Sequence, residues 1–378
     1  MINDYVLNHN NIMKTFKNPK LLLFTPLLIL NVISLFNMIN AKFISIVYEK
    51  AFIKQLIWFL LGYLIIFILS KIKLKKLFKY ASYLYFFTIF LLILVLFLGE
   101  DINGAKCWLS IFGFTFQPSE LVKLTLSLYL IEIVCNFKIK NIKDEFILII
   151  KLFITTIIPC ILVFLEPDTG AIINYLIILL VVLFYAKLNK WWYIFFFSIG
   201  FILLTAFFVM YFFFQDFLID IIGTSFFYRM DRLINFANGN SYQLENALIT
   251  IGASSFFGTG FNKILLYIPE APTDFFFAFS IGNFGVFSAI LIVLSFFTIN
   301  LFLIFRLNKI NNKKFKMFML CYLGIFIFHQ LYNISMNVGL LPIMGIPLPF
   351  LSYGGTNTLI NYIFLGIILK LLNEKKSC

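Results

Sequence analysis

The chain has 378 residues, of which 62% are hydrophobic and only 12% charged. A soluble globular domain carries about twice that share of charge, so the composition excludes one and indicates an integral membrane protein. The net charge of +13 is topology signal plus contact with anionic lipid, and no basic stripe with interleaved surface aromatics supports a nucleic-acid partner.

Ten apolar runs follow one another along the chain, at about 21–39, 51–70, 80–98, 119–136, 146–165, 169–187, 191–214, 275–305, 317–336 and 353–372. Runs of about 20 apolar residues cross some 30 Å of hydrocarbon as helices. An alternating barrel pattern is absent, and lipid leaves the backbone no other way to satisfy itself. The predicted fold is an all-α polytopic membrane protein of about ten transmembrane helices, read as a single membrane domain over 1–378. The first run is too long for a signal peptide and no small-residue cleavage site follows it, so it is expected to stay.

Lysine and arginine set the orientation, because they are retained on the cytoplasmic side. With an inside N-terminus, 22 of the 30 basic residues fall on one side: Lys14, Lys17 and Lys20, the runs "KIKLKKLFK", "KIKNIK", "KLNK" and "RLNKINNKKFK", the tail "NEKKSC", Lys151 and Lys370. Both termini are therefore expected to be cytoplasmic. The five cysteines, at 107, 135, 160, 321 and 378, have no metal or redox spacing, and two histidines, His9 and His329, cannot build a zinc site.

Three segments on the expected outer side, about 99–118, 215–273 and 337–352, are rich in polar residues, proline and glycine, and the large one lies between helices 7 and 8. Loops of this kind are the usual seat of function. In the first, "NGAKCWLSIFGFTFQPSELVKL", Pro118 suits the first turn of a helix, and Glu120 and Lys123 then share one face of the fourth span. They read equally as a structural ion pair or as the lining of a polar cavity. In "LEPDTGA", Glu166 and Asp168 are expected to cap the end of span five, as scaffold or as ligands for substrate or cation. In "YRMDR", Arg229 and Arg232 could present two guanidinium forks to one anion such as a phosphate, or simply snorkel at the interface. Asp274, at the end of "PEAPTD", reads locally as a helix cap, with Thr273 competing for that place. In "GIPLPFLSYGG", Pro347, Pro349, Ser352, Gly354 and Gly355 suggest a re-entrant or tightly turned loop before the tenth span.

These blocks, in this order, together with "YQLENALITIGASSFFGTG", "PEAPTDFFFAF" and the long "NISMNVGLLPIMGIPLPFLSYGGTNTLINYIFLG", resemble the signature blocks of the SEDS family, which includes RodA, FtsW and SpoVE. The resemblance runs from about residue 100 to the C-terminus. It implies a ten-helix enzyme that polymerises peptidoglycan from lipid II at the outer face of the bacterial cytoplasmic membrane. The implied partners are a class B penicillin-binding protein and other membrane proteins of the elongation or division complex. The acid of the family's "TDF" motif is the catalytic carboxylate, which here is Asp274. Arg229, Arg232, Lys123 and Lys106 become candidates for holding the lipid-linked diphosphate, with Glu120 and Trp108 beside them. No cofactor is certain, and a divalent cation, Mg or Mn, could share that task. "GIPLPF" and "HQLYNISM" point to the RodA branch, with division and sporulation roles open.

The chain departs from the family at three places. A usual pair of glutamates is replaced by Gly282 and Asn283, Cys107 stands where arginine is common, and the segment between Phe261 and Pro269 is short. These departures support an alternative in which the chain is a catalytically inert scaffold for a penicillin-binding protein. A flippase for the lipid-linked precursor is the other alternative.

Overall fold

A computed structural model describes residues 21–72, 74–102, 105–111, 114–166, 168–214, 217 and 241–373. In chain order the elements are α1 (Leu21–Ala41), α2 (Ala51–Lys71), α3 (Leu74–Lys79), α4 (Ala81–Leu98), β1 (Glu100–Ile102), β2 (Ala105–Ile111), β3 (Phe114–Phe116), α5 (Pro118–Asn136), α6 (Ile142–Leu165) and α7 (Thr169–Ala186). They continue as α8 (Lys190–Phe213), α9 (Tyr242–Ala253), α10 (Phe276–Leu307), α11 (Lys313–Asn337) and α12 (Gly355–Asn373). Each of the ten apolar runs coincides with one long helix. Among the described residues, eight of these are long and apolar enough to cross a membrane.

Of the remaining two, α5 is informative. Helix α5 carries Glu120, Lys123 and Glu132, and it packs against α4, α6, α7, α11 and α12. A helix sheltered on so many sides meets little lipid, so it tolerates polar groups that a lipid-facing helix would not. Around it, α12 lies along α2 and α10 along α1. The buried core runs through both pairs and includes Leu23, Leu30, Phe326, Tyr362 and Leu365.

Two of the segments expected to be loops hold regular structure. Strands β1, β2 and β3 form an antiparallel sheet in that order, with Glu100 opposite Trp108 and Leu109 opposite Phe116. The fold is therefore helical with one small sheet rather than wholly helical. Within the expected loop 215–273, Ser241 caps α9, which buries Leu244, Ala247 and Thr250.

The segment before α12 is an irregular thread at the depth of the helices, and its carbonyls are met by side chains. Ser34 donates to Leu351 O at 2.6 Å, Asn333 to Ile346 O at 2.8 Å and Tyr332 to Pro342 O at 3.0 Å. Irregular backbone survives in a membrane protein only with such partners. The segment is tightly turned around Pro347 and Pro349.

Helix α10 is broken at Gly285, whose φ is +71°. A Cβ there would collide with the carbonyl of Phe256. The segment around 256–260 fills the break: Phe287 N donates to Phe256 O at 3.1 Å, Thr259 N to Gly282 O at 3.1 Å and Gly260 N to Asn283 O at 2.7 Å. The kink thus has an identifiable cause, since a second strand of backbone is inserted into the helix ladder.

Candidate active site

The site begins with the turn that feeds α10. Glu270 adopts φ +54°, and its carbonyl accepts from the backbone N–H groups of Thr273 (3.2 Å), Asp274 (3.0 Å) and Phe275 (3.2 Å). The turn is held from outside by the thread before α12. Tyr353 N donates to Pro272 O at 2.8 Å and Ser352 Oγ to Thr273 O at 2.6 Å. From α11, Asn333 and Asn337 both donate to the carbonyl of Asp274, at 2.8 and 3.1 Å.

Neither Thr273 nor Asp274 caps the helix. The cap is supplied in trans by Asn337, whose Oδ1 accepts from Ala278 N at 3.0 Å. Thr273 spends its hydroxyl on Glu270, donating to the carbonyl at 3.1 Å and the carboxyl at 2.9 Å. The side chain of Asp274 keeps a partly accessible surface and receives no hydrogen bond from any described residue. Burial pushes its acid up to about 7, and the charges of Glu270 and Asp168 push the same way.

A second acid group faces this turn from the ends of α5, α6 and α7. Asp168 Oδ1 accepts from Ala171 N at 3.1 Å, so it caps the start of α7 and not the end of α6. Its Oδ2 accepts from Gln117 Nε2 at 2.9 Å and Ser119 Oγ at 3.0 Å. Burial raises the Asp168 acid, and the Ala171 hydrogen bond opposes it. Gly345 lies between the two acids. A Cβ on it would sit 3.7 Å from Asp274 Oδ2, and a Cβ on Gly170 would lie 3.3 Å from Gly345 O and 3.7 Å from Asp168 Oδ1. Glu120 and Lys123 form an ion pair at 2.6 Å, both nearly fully buried. Glu166, at the end of α6, has 0% exposure and no hydrogen-bond partner for either carboxyl oxygen. Burial, then the charge of Asp168, lifts its acid to about 8.

The other expected residues scatter around this centre. Pro118 occupies the first turn of α5. Lys106 is exposed and Trp108 half-buried, both on β2. Lys123 is neutralised by Glu120, so the pair presents no net charge to an anion. Pro347 turns its carbonyl toward His329 at 3.2 Å, and Gly355 allows α12 to rest on the Trp58 indole. Arg229 and Arg232 lie outside the described residues. Among the described residues, no three His, Cys, Asp or Glu side chains converge on a point that could hold a metal.

Sequence reasoning passed over Glu270, Tyr48, Asn333, Asn337 and Gln117. The spacing of Asn333 and Asn337, four apart on one helix face, was the one available signal. The departures at 282 and 283 fall away from the acids. Asn283 donates to Asn37 Oδ1 at 2.8 Å, and Asn37 donates to Ser280 Oγ at 3.2 Å. At 282 a Cβ would sit 2.6 Å from Thr250 Cγ2. These positions belong to the junction of α1, α9 and the break in α10.

Comparison with known proteins agrees with the fold. A family model described as cell cycle protein, covering FtsW, RodA and SpoVE, matches residues 20–377. The chain belongs to this FtsW/RodA/SpoVE family. It is 31% identical over 338 residues to a probable peptidoglycan glycosyltransferase FtsW of Buchnera aphidicola, covering 84% of this chain and 89% of that one. It is also 31% identical over 331 residues to the protein of the same description from Wigglesworthia glossinidia brevipalpis, covering 84% and 82%. In fold it is similar to a chain of a peptidoglycan synthase complex that coordinates polymerization and crosslinking, with TM-score 0.73 and 23% identity over 92% of this chain and 96% of that one. The rod shape determining protein RodA of Thermus thermophilus follows, with TM-score 0.65 and 21% identity over 94% and 98%. The relatives at 31% identity carry the name FtsW, so the sequence-level pointer to the RodA branch gains no support within the family.

Proposed function

We propose that this multi-pass membrane protein is a peptidoglycan glycosyltransferase that polymerises lipid II, with Asp274 as its general base. The observation that carries the assignment is the state of the Asp274 carboxyl, which has no hydrogen-bond partner among the described residues, is partly accessible, and is raised to about 7. A base works best when its proton affinity lies near the operating pH, and a group already engaged as a helix cap could not serve. Asp274 takes the proton of the acceptor sugar's 4-hydroxyl as that oxygen attacks the anomeric carbon of the donor. The bond from that carbon to the lipid-linked diphosphate breaks, and the diphosphate leaves with the electron pair.

The main chain of Asp274 is bound on both sides, through Glu270 and through Asn333 and Asn337. That rigidity suits a group that must meet one hydroxyl in one geometry. Negative charge gathers on the diphosphate as it leaves, and Arg229 and Arg232 are the cations we assign to it. Lys106, exposed on β2, is the next. A divalent cation would be held together with the substrate phosphates, since Mg commonly uses only one or two carboxylates there. The site faces the outer side of the bacterial cytoplasmic membrane in this reading, which the lysine asymmetry supports. The partner is a class B penicillin-binding protein that cross-links the product.

The test is polymerisation of labelled lipid II by the purified chain with its cognate class B partner, comparing wild type with Asp274→Asn at equal folding yield. Glycan from the wild type and a loss of at least about 100-fold in the variant is the expected result. Undiminished polymer from Asp274→Asn removes the base from Asp274. Silence from both proteins in an assembled complex favours the scaffold.

A further inference from the structure

We propose that Glu270 is a positioning residue for Asp274, with Tyr48 holding it from the far side of the site. The inference rests on the reading of Asp274 as the base. Glu270 stands four residues before Asp274 in a left-handed conformation that is strained for a non-glycine residue. Glycine would take φ +54° without strain, so the turn alone does not explain a glutamate. Its side chain does. Glu270 Oε2 accepts from Tyr48 Oη at 2.8 Å and from Thr273 Oγ1 at 2.9 Å. Two donors on one oxygen fix the carboxyl in place.

Tyr48 comes from the segment between α1 and α2, 222 residues away in sequence. It is buried, and its ring meets Tyr353 edge-on at 5.6 Å. Tyr353 in turn binds the backbone of Pro272. Glu270 thereby joins the segment before α2 and, through Tyr353, the thread before α12 to the turn that carries the base, while its own carbonyl holds the Asp274 N–H. The charges that act on Asp274 are Glu270, from its own turn, and Asp168, from the start of α7. The groups packed on the turn from α11 and the thread before α12 are Asn333, Asn337, Ser352 and Tyr353, all neutral side chains. Lys123 of α5 is committed to Glu120. A negative neighbour in the same turn makes Asp274 hold a proton more tightly, and so makes it a stronger base once ionised.

The experiment is the pH dependence of kcat for lipid II polymerisation by the full complex, with wild type, Glu270→Gln and Tyr48→Phe. The wild type is expected to lose activity as pH falls through about 7, because the base is then protonated. Glu270→Gln keeps the shape and an acceptor oxygen but removes the charge. Its acid-side midpoint moves down by about half to one pH unit and its plateau kcat falls several-fold, with KM unchanged. Tyr48→Phe keeps the charge and leaves the midpoint in place, while kcat drops several-fold. A Glu270→Gln profile with the wild-type midpoint overturns the proposal, whatever its amplitude, since a merely structural glutamate would scale the curve without moving it. If Glu270→Gln does not accumulate, Tyr48→Phe decides, and wild-type kcat in that variant overturns it. A wild type with no acid limb between pH 5 and 9 sinks the base reading itself and this inference with it.

Discussion

The two ends of the helix bundle differ in how completely their acids are partnered. Helix α5 runs from one end to the other, about 28 Å by its length. At its C-terminal end, Glu132 meets Lys314 at 2.6 Å with 23% and 30% of the side chains exposed, and Asn136 donates to it at 2.6 Å. Nearby, Asp144 accepts from the N–H groups of Lys140 and Asn141, and Glu145 from Trp192 Nε1 at 2.9 Å. Lys138, Lys140 and Lys143 are exposed around them. At the N-terminal end of α5, Asp168 and Glu270 accept hydrogen bonds, but among the described residues no donor reaches the carboxyl of Glu166 or of Asp274, and the buried Lys123 is spent on Glu120. Acids at the basic end are solvated and paired, which is the cheap arrangement. An acid withdrawn from water without a partner, as Glu166 is, costs stability, and such groups gather where a proton must be moved.

The largest expected difference between the ends lies in their ion pairs. Glu120→Gln or Lys123→Met alone leaves a charge buried without its partner, and should cost about 3–5 kcal/mol. Glu132→Gln, in a pair that water reaches, should cost about 0–1 kcal/mol. Thermal stability of the purified variants in detergent measures both. The double variant Glu120→Gln/Lys123→Met should recover most of the lost stability. Equal losses at the two ends would erase the contrast.

The neutral amides give a middle-sized difference. Asn337→Ala removes a donor from the Asp274 carbonyl and the cap from Ala278 N, so it should cost about 1–3 kcal/mol and lower kcat. Asn136→Ala, exposed at the basic end, should stay within about 0.5 kcal/mol. Unchanged kcat in a folded Asn337→Ala protein would show that Asp274 does not depend on that clamp.

Much of the scaffold was legible in the sequence, and the reason is lipid. A run of twenty apolar residues has one way to satisfy its backbone, so ten runs became ten helices with ends shifted by a few residues. The sheet at 100–116 was not legible, because β1 and β3 have three residues each and short strands leave little alternation to read. Asp274 was found as a residue, but its surroundings were not. Its capping alternative failed because the cap comes from Asn337, 59 residues from Ala278, and Asp168 was assigned to the helix before it rather than the helix it begins. Tyr48 meets Glu270 only after the whole bundle has closed. Pattern within one helix predicts the helix, whereas convergence of side chains from several helices leaves almost no local trace.

The smallest effect is also the one in which the two ends should differ in sign. Burial raises the Glu166 acid from 4.5 to about 8 in the folded chain. Below pH 4.5 both folded and unfolded states keep the proton, and the acid has no influence on stability relative to that limit. Between pH 4.5 and 8 the unfolded state loses the proton first, so stability falls as pH rises, and above 8 the loss is complete. Glu166→Gln is neutral at every pH and nearly the same shape. It should therefore match the wild type near pH 4.5 and exceed it by about 1–2 kcal/mol at pH 8.5, the gain reduced by structure that persists in the unfolded ensemble. Asp144→Asn, at the basic end, loses the strong acceptor for two backbone N–H groups and should destabilise at neutral pH by about 1 kcal/mol. Melting curves at pH 5 and 8.5 for both variants settle the matter. A Glu166→Gln protein less stable than wild type at pH 8.5 would mean that the carboxylate has a cation there when folded, and the acid end would then be paired like the other.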